Sequence, residues 1–305
     1  MAMTITGRRC RLHFIAGYAA LITTIVTTLL AMGPVSPHAP AQPPQRIIAL
    51  APSTAETICA LGTADRLVGI GSYVTHPPSI LRLPRVGGLY DPNLEAILAL
   101  HPDLVILRGS SAPLEQLCTD HHIRIYRDRT DSLSSIFGTI TDIGTLLGVA
   151  DQADSLTADL RAALERIEQR GQGQPRPRVL LTLRSPARLG ALTTVAGDAY
   201  LNDLIRIAGG DNIFADMQVP YPQVRLEEIL TRQPDIIIEV MPGESIDADR
   251  RRVLMDQWRG LGSINAVRQN HVFFITDDFA LIPSPRVALM AERLARIISS
   301  VRPSP

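Results

Sequence analysis

The 305-residue chain contains no lysine, one tryptophan and only 4% aromatic residues. Without lysine there is no Schiff-base nucleophile and no P-loop, whose lysine contacts phosphates. So few aromatics argue against a stacking surface for single-stranded nucleic acid. The 30 arginines are balanced by 30 acidic residues, so no charge excess draws the chain to nucleic acid or to an anionic membrane. Three cysteines, Cys10, Cys59 and Cys118, fit neither a disulfide framework nor a C-x-x-C metal site. In an oxidising compartment Cys59 and Cys118 can still pair. Catalytic motifs are lacking too: there is no G-x-S-x-G and no H-E-x-x-H, and Gly69-Ile70-Gly71 is only a fragment of G-x-G-x-x-G. His76, His101, His121, His122 and His271 have no ligand spacing, so neither a bare metal ion nor a cofactor is expected. What the chain does have is 46% apolar residues, enough for a sizeable core and more than one domain.

The N-terminal segment reads as an export signal. Arg8, Arg9 and Arg11 precede an uncharged apolar run from Phe14 to Met32, and a breaker stretch then leads to Ala39-Pro40-Ala41. A basic start, an apolar middle and small residues before the cut are the marks of a secretory signal, with cleavage expected after Ala41. The competing reading is an uncleaved anchor, because a run of 19 residues can just span a bilayer. Its threonines, its glycine and the Ala-x-Ala site favour cleavage. Cleavage would leave 27 arginines against 30 acids in residues 42–305, and the product would be exported to the periplasm.

The most informative feature is a duplication. Leu94-Glu95-Ala96-Ile97-Leu98 followed by Pro102-Asp103-Leu104-Val105-Ile106 recurs as Leu226-Glu227-Glu228-Ile229-Leu230 followed by Pro234-Asp235-Ile236-Ile237-Ile238, at a constant offset of 132. Each copy predicts a short helix, a Pro-Asp stop and a buried strand. Further strands are expected at Ile47–Ala51, Val68–Ile70, Ile123–Tyr126, Val179–Leu183 and Val272–Ile275, with helical stretches between them. That alternation predicts an α/β fold of parallel-rich sheets flanked by helices, in two similar lobes. From Ala150 to Arg170 one apolar stripe faces a charged side, and Gly171-Gln172-Gly173-Gln174-Pro175 ends the pattern. This predicts a long connecting helix. The expected division is 1–41 signal, 42–149 N-terminal lobe, 150–174 connecting helix and 175–305 C-terminal lobe. A cleft between lobes is where a small ligand binds.

Several segments carry a family likeness: Arg46–Glu56, Pro92–Glu95 with Pro102-Asp103, Ala208–Ile213, Val219-Pro-Tyr-Pro-Gln-Val224 and Ser284-Pro-Arg286. In order and spacing they resemble the class III substrate-binding proteins of ABC importers, the group that carries cobalamin, ferric siderophores and haem. The Val219–Val224 segment and the Ser72-Tyr73…Pro77-Pro78 segment are most similar to its cobalamin-carrying members. The resemblance covers about Arg46 to Val301. It implies two α/β lobes on one backbone helix, little closure on binding, a corrinoid or related metal chelate as ligand, and a permease dimer as partner. It implies no catalysis.

Site residues follow from the same reading. Pro52 and Ser53 follow the first strand, whose carboxyl end is where open α/β sheets bind ligands, and the resemblance implies that they line the cleft; Ser53 with Glu56 also fits a helix capping box. Tyr73, Tyr90, Tyr221 and Phe279 sit in expected loops, and large amphipathic rings there suit a flat ligand of mixed polarity. The resemblance adds Asp278 to the ligand-binding set, although Ala280-Leu281-Ile282 beside it is apolar where cobalamin-carrying members are polar. Arg286 is expected to anchor the final helix. Glu95 and Glu227 hold equivalent positions in the two repeats. Either each offsets a helix dipole, or, as the resemblance implies, the pair docks on arginines of a symmetric permease. A haem ligand would call on Tyr73 or Tyr90 as axial group, and a carboxylate siderophore on Arg108, Arg127 or Arg184. An exported enzyme or a membrane-anchored sensor with the same cleft remain the readings from other classes.

Overall fold

The computed structural model describes residues 42–183 and 191–302. The expected signal segment, Cys10 and Arg184 lie outside the described residues.

Two four-stranded parallel sheets form the frame. The first joins β1 (Ile47–Ala49), β2 (Leu67–Ile70), β3 (Leu104–Arg108) and β4 (Arg124–Asp128) in the order β2-β1-β3-β4. The second is ordered β10-β9-β5-β7, from β5 (Arg178–Leu183), β7 (Asp211–Asn212), β9 (Ile236–Val240) and β10 (Val272–Ile275). The two orders are the same once β1 is matched with β5, β3 with β9 and β4 with β10. A small antiparallel ribbon of β6 (Ala191–Thr193) and β8 (Gln223–Arg225) is added in the second lobe.

The duplication has a structural cause that extends beyond the matched segments. Asp103 accepts the Arg46 backbone N–H at 3.0 Å, and Asp235 accepts that of Arg178 at 3.0 Å. The Arg46 guanidinium then reaches the Leu100 carbonyl at 2.7 Å, and Arg178 reaches the Arg232 carbonyl at 3.1 Å. These carbonyls end α2 (Leu94–Ala99) and α7 (Leu226–Arg232). Such terminal carbonyls have no partner inside a helix, and an arginine is a good one. His101 and Gln233, also 132 apart, both adopt positive φ (44° and 41°), which turns the chain out of each helix. Each Pro-Asp unit is therefore a clasp that closes a helix end onto the start of a strand pair.

The connecting helix α5 runs from Ala150 to Gly171 and buries Ala153, Leu160, Leu164 and Ile167. It packs first on α4 (Leu133–Leu147), then on α6 (Tyr200–Ile207) and the final helix α10 (Val287–Ser300). The core is continuous across this join. One apolar cluster takes Ile47, Ala49 and Ile106 from the first sheet, Leu160 and Ile167 from α5, and Leu181, Ile238 and Ile275 from the second sheet. The outer faces carry separate clusters, one in each lobe. Described residues from Pro43 onward belong to one compact unit.

One sequence expectation is corrected, and the pairing that the sequence left open for Cys59 and Cys118 is decided. The helix α1 spans Pro52–Ala60, with Ala51 as N-cap and no side-chain cap. Proline suits the first helical position because its φ is already helical, so the helix begins before Ser53 and no Ser53–Glu56 capping box forms. Cys59 and Cys118 are free. They pack into clusters on opposite faces of the first sheet, so the backbone keeps the two thiols apart.

Candidate functional site

The carboxyl ends of the parallel strands converge on a cavity of about 310 Å³ between the lobes. Ala51, Pro52 and Ser53 after β1, Leu89, and Arg108 at the end of β3 supply one wall. Leu183 at the end of β5, Tyr200, Tyr221, and Leu281-Ile282-Pro283 after β10 supply the other. Open α/β sheets place ligands at this edge, and the volume falls at the lower end of the small-molecule range.

The loop carrying Leu89 is shaped by Gly87 and Gly88. Gly87 has φ +90°, and a β-carbon there would fall 2.5 Å from the Asp91 carbonyl oxygen. At Gly88 an added β-carbon would run into the Asp91 carboxylate and stand 3.1 Å from Tyr73 Cε2. The Ser72 N–H donates to the Gly87 carbonyl at 2.8 Å and ties the two loops together.

Arg108 is fixed on one side only. It donates to the Thr130 hydroxyl and carbonyl and, at 3.1 Å, to Asp131. Beneath it Asp128 is buried and accepts from Ser53 Oγ at 3.2 Å, Thr139 at 3.3 Å and Thr130 at 3.4 Å. Burial pushes the Asp128 carboxyl up, against the pull of Arg108 and these hydroxyls. Ser53 thus lines the cavity while holding the end of β4. The Asp131 carbonyl accepts the Tyr200 N–H at 2.9 Å, joining the lobes by a backbone bond.

Tyr200 is 3% exposed, and its hydroxyl has no hydrogen-bond partner among the described residues. Burial raises this phenol far above its ordinary value, with the neighbouring Tyr221 adding to the shift and Arg108 opposing it. Burial also raises the Tyr221 phenol. Both phenols are therefore protonated at neutral pH and can donate. Tyr200, Tyr221 and Arg108 neighbour one another and with Ser53 are the polar members of the lining, while Leu89, Leu183, Leu281, Ile282 and Pro283 are apolar.

A buried ion cluster adjoins this site. Glu56, 5% exposed, accepts from Arg286 Nε at 2.9 Å, from Arg286 Nη2 and from the Ser284 hydroxyl. Arg286 Nη1 also donates to both oxygens of Asp278, each at 2.9 Å. Glu56 belongs to the first lobe and Arg286 to the second, so the cluster is a latch between them. Sequence reasoning placed Arg286 as the anchor of the final helix and did not foresee its partner, 230 residues away.

Of the residues expected to bind ligand, Pro52, Ser53 and Tyr221 come together on the cavity wall. Tyr73 and Tyr90 are 67% and 94% exposed and stand outside it. Asp278 is held by Arg286, and the Phe279 ring lies 5.7 Å from the same guanidinium, packed on the core. The apolar residues that follow them line the cavity instead. Arg127 pairs with Glu115 at 2.8 Å and is not among the lining residues. Leu89, Leu183 and Tyr200 were not foreseen; position at a strand end could have pointed to Leu183, but nothing local marks Tyr200. Among the described residues no group of three or more His, Cys, Asp and Glu side chains could hold a metal ion, and no helix is long and apolar enough to cross a membrane.

Glu95 and Glu227 are both exposed, in the first turns of α2 and α7. Their carboxylates make no hydrogen bond or ion pair among the described residues. The ends of these helices are served by others: Asn93 accepts from the Ala96 N–H at 3.0 Å, and Glu228 from the Arg225 N–H at 2.8 Å.

Comparison with known proteins agrees with this geometry. A vitamin B12-binding protein of Yersinia pestis is 30% identical over 270 residues, 87% of this chain and 90% of the relative. The crystal structure of a periplasmic vitamin B12 binding protein of Vibrio cholerae matches with a TM-score of 0.69 at 27% identity, over 85% of this chain and 98% of that one. A periplasmic haem-binding protein of Pseudomonas aeruginosa shares the fold with a TM-score of 0.72 at 24% identity, over 85% of this chain and 94% of that one. The model of the family described as periplasmic binding protein matches residues 47–279. With two parallel-sheet lobes, a helical connector and a cavity at the strand ends, the chain belongs to the periplasmic binding protein family.

Proposed function

We propose that the protein captures a corrinoid between its lobes in the periplasm and delivers it to an ABC importer. The observation that carries this reading is the cavity walled by both lobes at the strand ends, lined by Arg108, two tyrosines and Ser53 among apolar residues. The relatives that bind vitamin B12 and span nearly the same length support the choice of ligand. A corrinoid is larger than a drug-sized molecule, so part of its rim would enter the cavity. Its flat body would rest outside, toward the exposed rings of Tyr73 and Tyr90, and Asp278 and Phe279 would border it. In this reading residues 42–149 and 175–305 act as lobes on the connecting helix of 150–174, and the signal is removed after Ala41.

Glu95 and Glu227 would dock on arginines of the two permease copies. The support is that both carboxylates are exposed and unpaired while neighbouring residues already serve their helix ends. A ferric siderophore or haem is the second reading, favoured by Arg108 on the cavity wall, which suits a ligand carboxylate.

Calorimetric titration with cyanocobalamin tests the ligand. One site per chain at micromolar or tighter affinity is expected. Folded protein that gives no heat would end the corrinoid reading. A Soret band formed with haem and lost on a Tyr-to-Phe change would then support the second reading. Ligand recovered unchanged after incubation is expected of a carrier, whereas turnover would point to an enzyme.

A further inference from the structure

An unpaired buried hydroxyl is costly, and the Tyr200 phenol is one among the described residues. Its electrostatic neighbours are Tyr221 and Arg108, both on the cavity wall. Arg108 spends its bonds on Thr130 and Asp131 through Nη1 and Nη2, and no hydrogen bond of its Nε–H is found among the described residues. Two phenols and a guanidinium meet here; the carboxylate beside them, Asp131, already accepts from Arg108, and the Tyr200 hydroxyl has no acceptor among the described residues. Unlike the other unpaired buried polar atoms among the described residues, the Tyr200 hydroxyl belongs to a residue of the cavity wall, where an acceptor on an entering ligand can complete it.

We infer that Arg108, Tyr200 and Tyr221 form a donor wall that receives an acceptor oxygen on a peripheral side chain of the ligand, with Tyr200 as the residue that sets this preference. The shared chemistry is an oxygen lone pair, carried by an amide carbonyl or by a carboxylate. The inference rests on the proposed carrier function and adds which part of the ligand enters the cavity first. The apolar residues of the lining would then cover the hydrocarbon stem of that side chain.

The test uses the full chain, with Tyr200→Phe and Tyr221→Phe made singly and together. Each protein is titrated with cyanocobalamin, haemin and a ferric hydroxamate siderophore, and the empty forms are melted. Because the Tyr200 hydroxyl has no partner when the site is empty, Tyr200→Phe should melt at or above the wild-type temperature. It should nonetheless bind the accepted ligand about 3- to 10-fold more weakly, the range of one lost hydrogen bond. Tyr221→Phe should weaken binding in the same direction. Against cyanocobalamin, a comparison with its monocarboxylic acid derivatives separates the two acceptors. An equal loss marks a carbonyl, and a larger loss with the acid marks a carboxylate.

Unchanged affinity in Tyr200→Phe overturns the donor wall while leaving the carrier reading intact. A lower melting temperature, or a failure to fold, assigns Tyr200 to structure and also overturns it. Wild-type protein that takes haemin and refuses cyanocobalamin ends the corrinoid reading, and the wall survives if Tyr200→Phe weakens haemin. Protein that binds none of the three overturns both.

Discussion

Replacing Arg286 with methionine isolates the latch between the lobes. The arginine side chain is 15% exposed and Glu56 is 5% exposed, so the pair is largely withdrawn from water. Removing one partner of a buried pair strands the other charge, at a typical cost of about 3–5 kcal/mol. The Asp278 side of the cluster is 48% exposed, and solvent screening makes its loss a minor part of the total. For a chain of this size about 2–4 °C is lost per kcal/mol, so Arg286→Met should melt roughly 6–20 °C below wild type. Urea unfolding followed by the fluorescence of the lone Trp258 gives the free energy. Combining Arg286→Met with Glu56→Gln removes both charges and should recover a good part of the loss, with a coupling of at least about 1 kcal/mol. A single-variant deficit below about 1 kcal/mol, or a double variant whose losses simply add, would refute the reasoning.

Other outcomes can be checked independently. Charge reversal at Glu95 and Glu227 together should leave ligand affinity unchanged and abolish uptake in cells; lost affinity in well-folded protein would contradict a docking role. Burial pushes the Glu239 carboxyl up to about 7, although it accepts a 2.6 Å bond from Trp258 Nε1. Its folded value exceeds its unfolded one, so the stability it contributes is complete below about pH 4.5 and disappears as the pH rises through 7. Glu239→Gln should therefore lose about 2–3 kcal/mol less than wild type between pH 5 and pH 8, and an equal pH slope in both proteins would count against it. The N-terminal residue of protein recovered from cells should be Gln42; Met1 would mean the segment is retained.

Parallel strands buried on both faces appear in sequence as unbroken apolar runs. That is why Ile236–Val240 and Val272–Ile275 coincide with β9 and β10. The strand Asp211–Asn212 has two residues and no apolar run, and the ribbon Gln223–Arg225 follows a proline-rich loop, so neither left a periodic trace. The pattern of Ser53 and Glu56 was ambiguous for a different reason. Serine and glutamate three apart suit a cap equally well whether or not distant residues claim them, and here Asp128 and Arg286 do. Pro52 and Tyr221 were legible through their loops. Tyr200 was not, because what marks it is a hydroxyl left without a partner among the described residues, and that follows from packing alone.

The apolar cluster shared by both sheets and α5 bears on how the molecule comes apart. Lobes joined by a bare linker would melt separately, and a protease acting at Gly171–Pro175 would release two folded halves. Here each half would leave that cut with a raw face of Leu, Ile and Val side chains from the common cluster. The nicked halves should stay associated until heat separates them in one calorimetric transition, so the duplicated architecture behaves thermodynamically as a single folding unit.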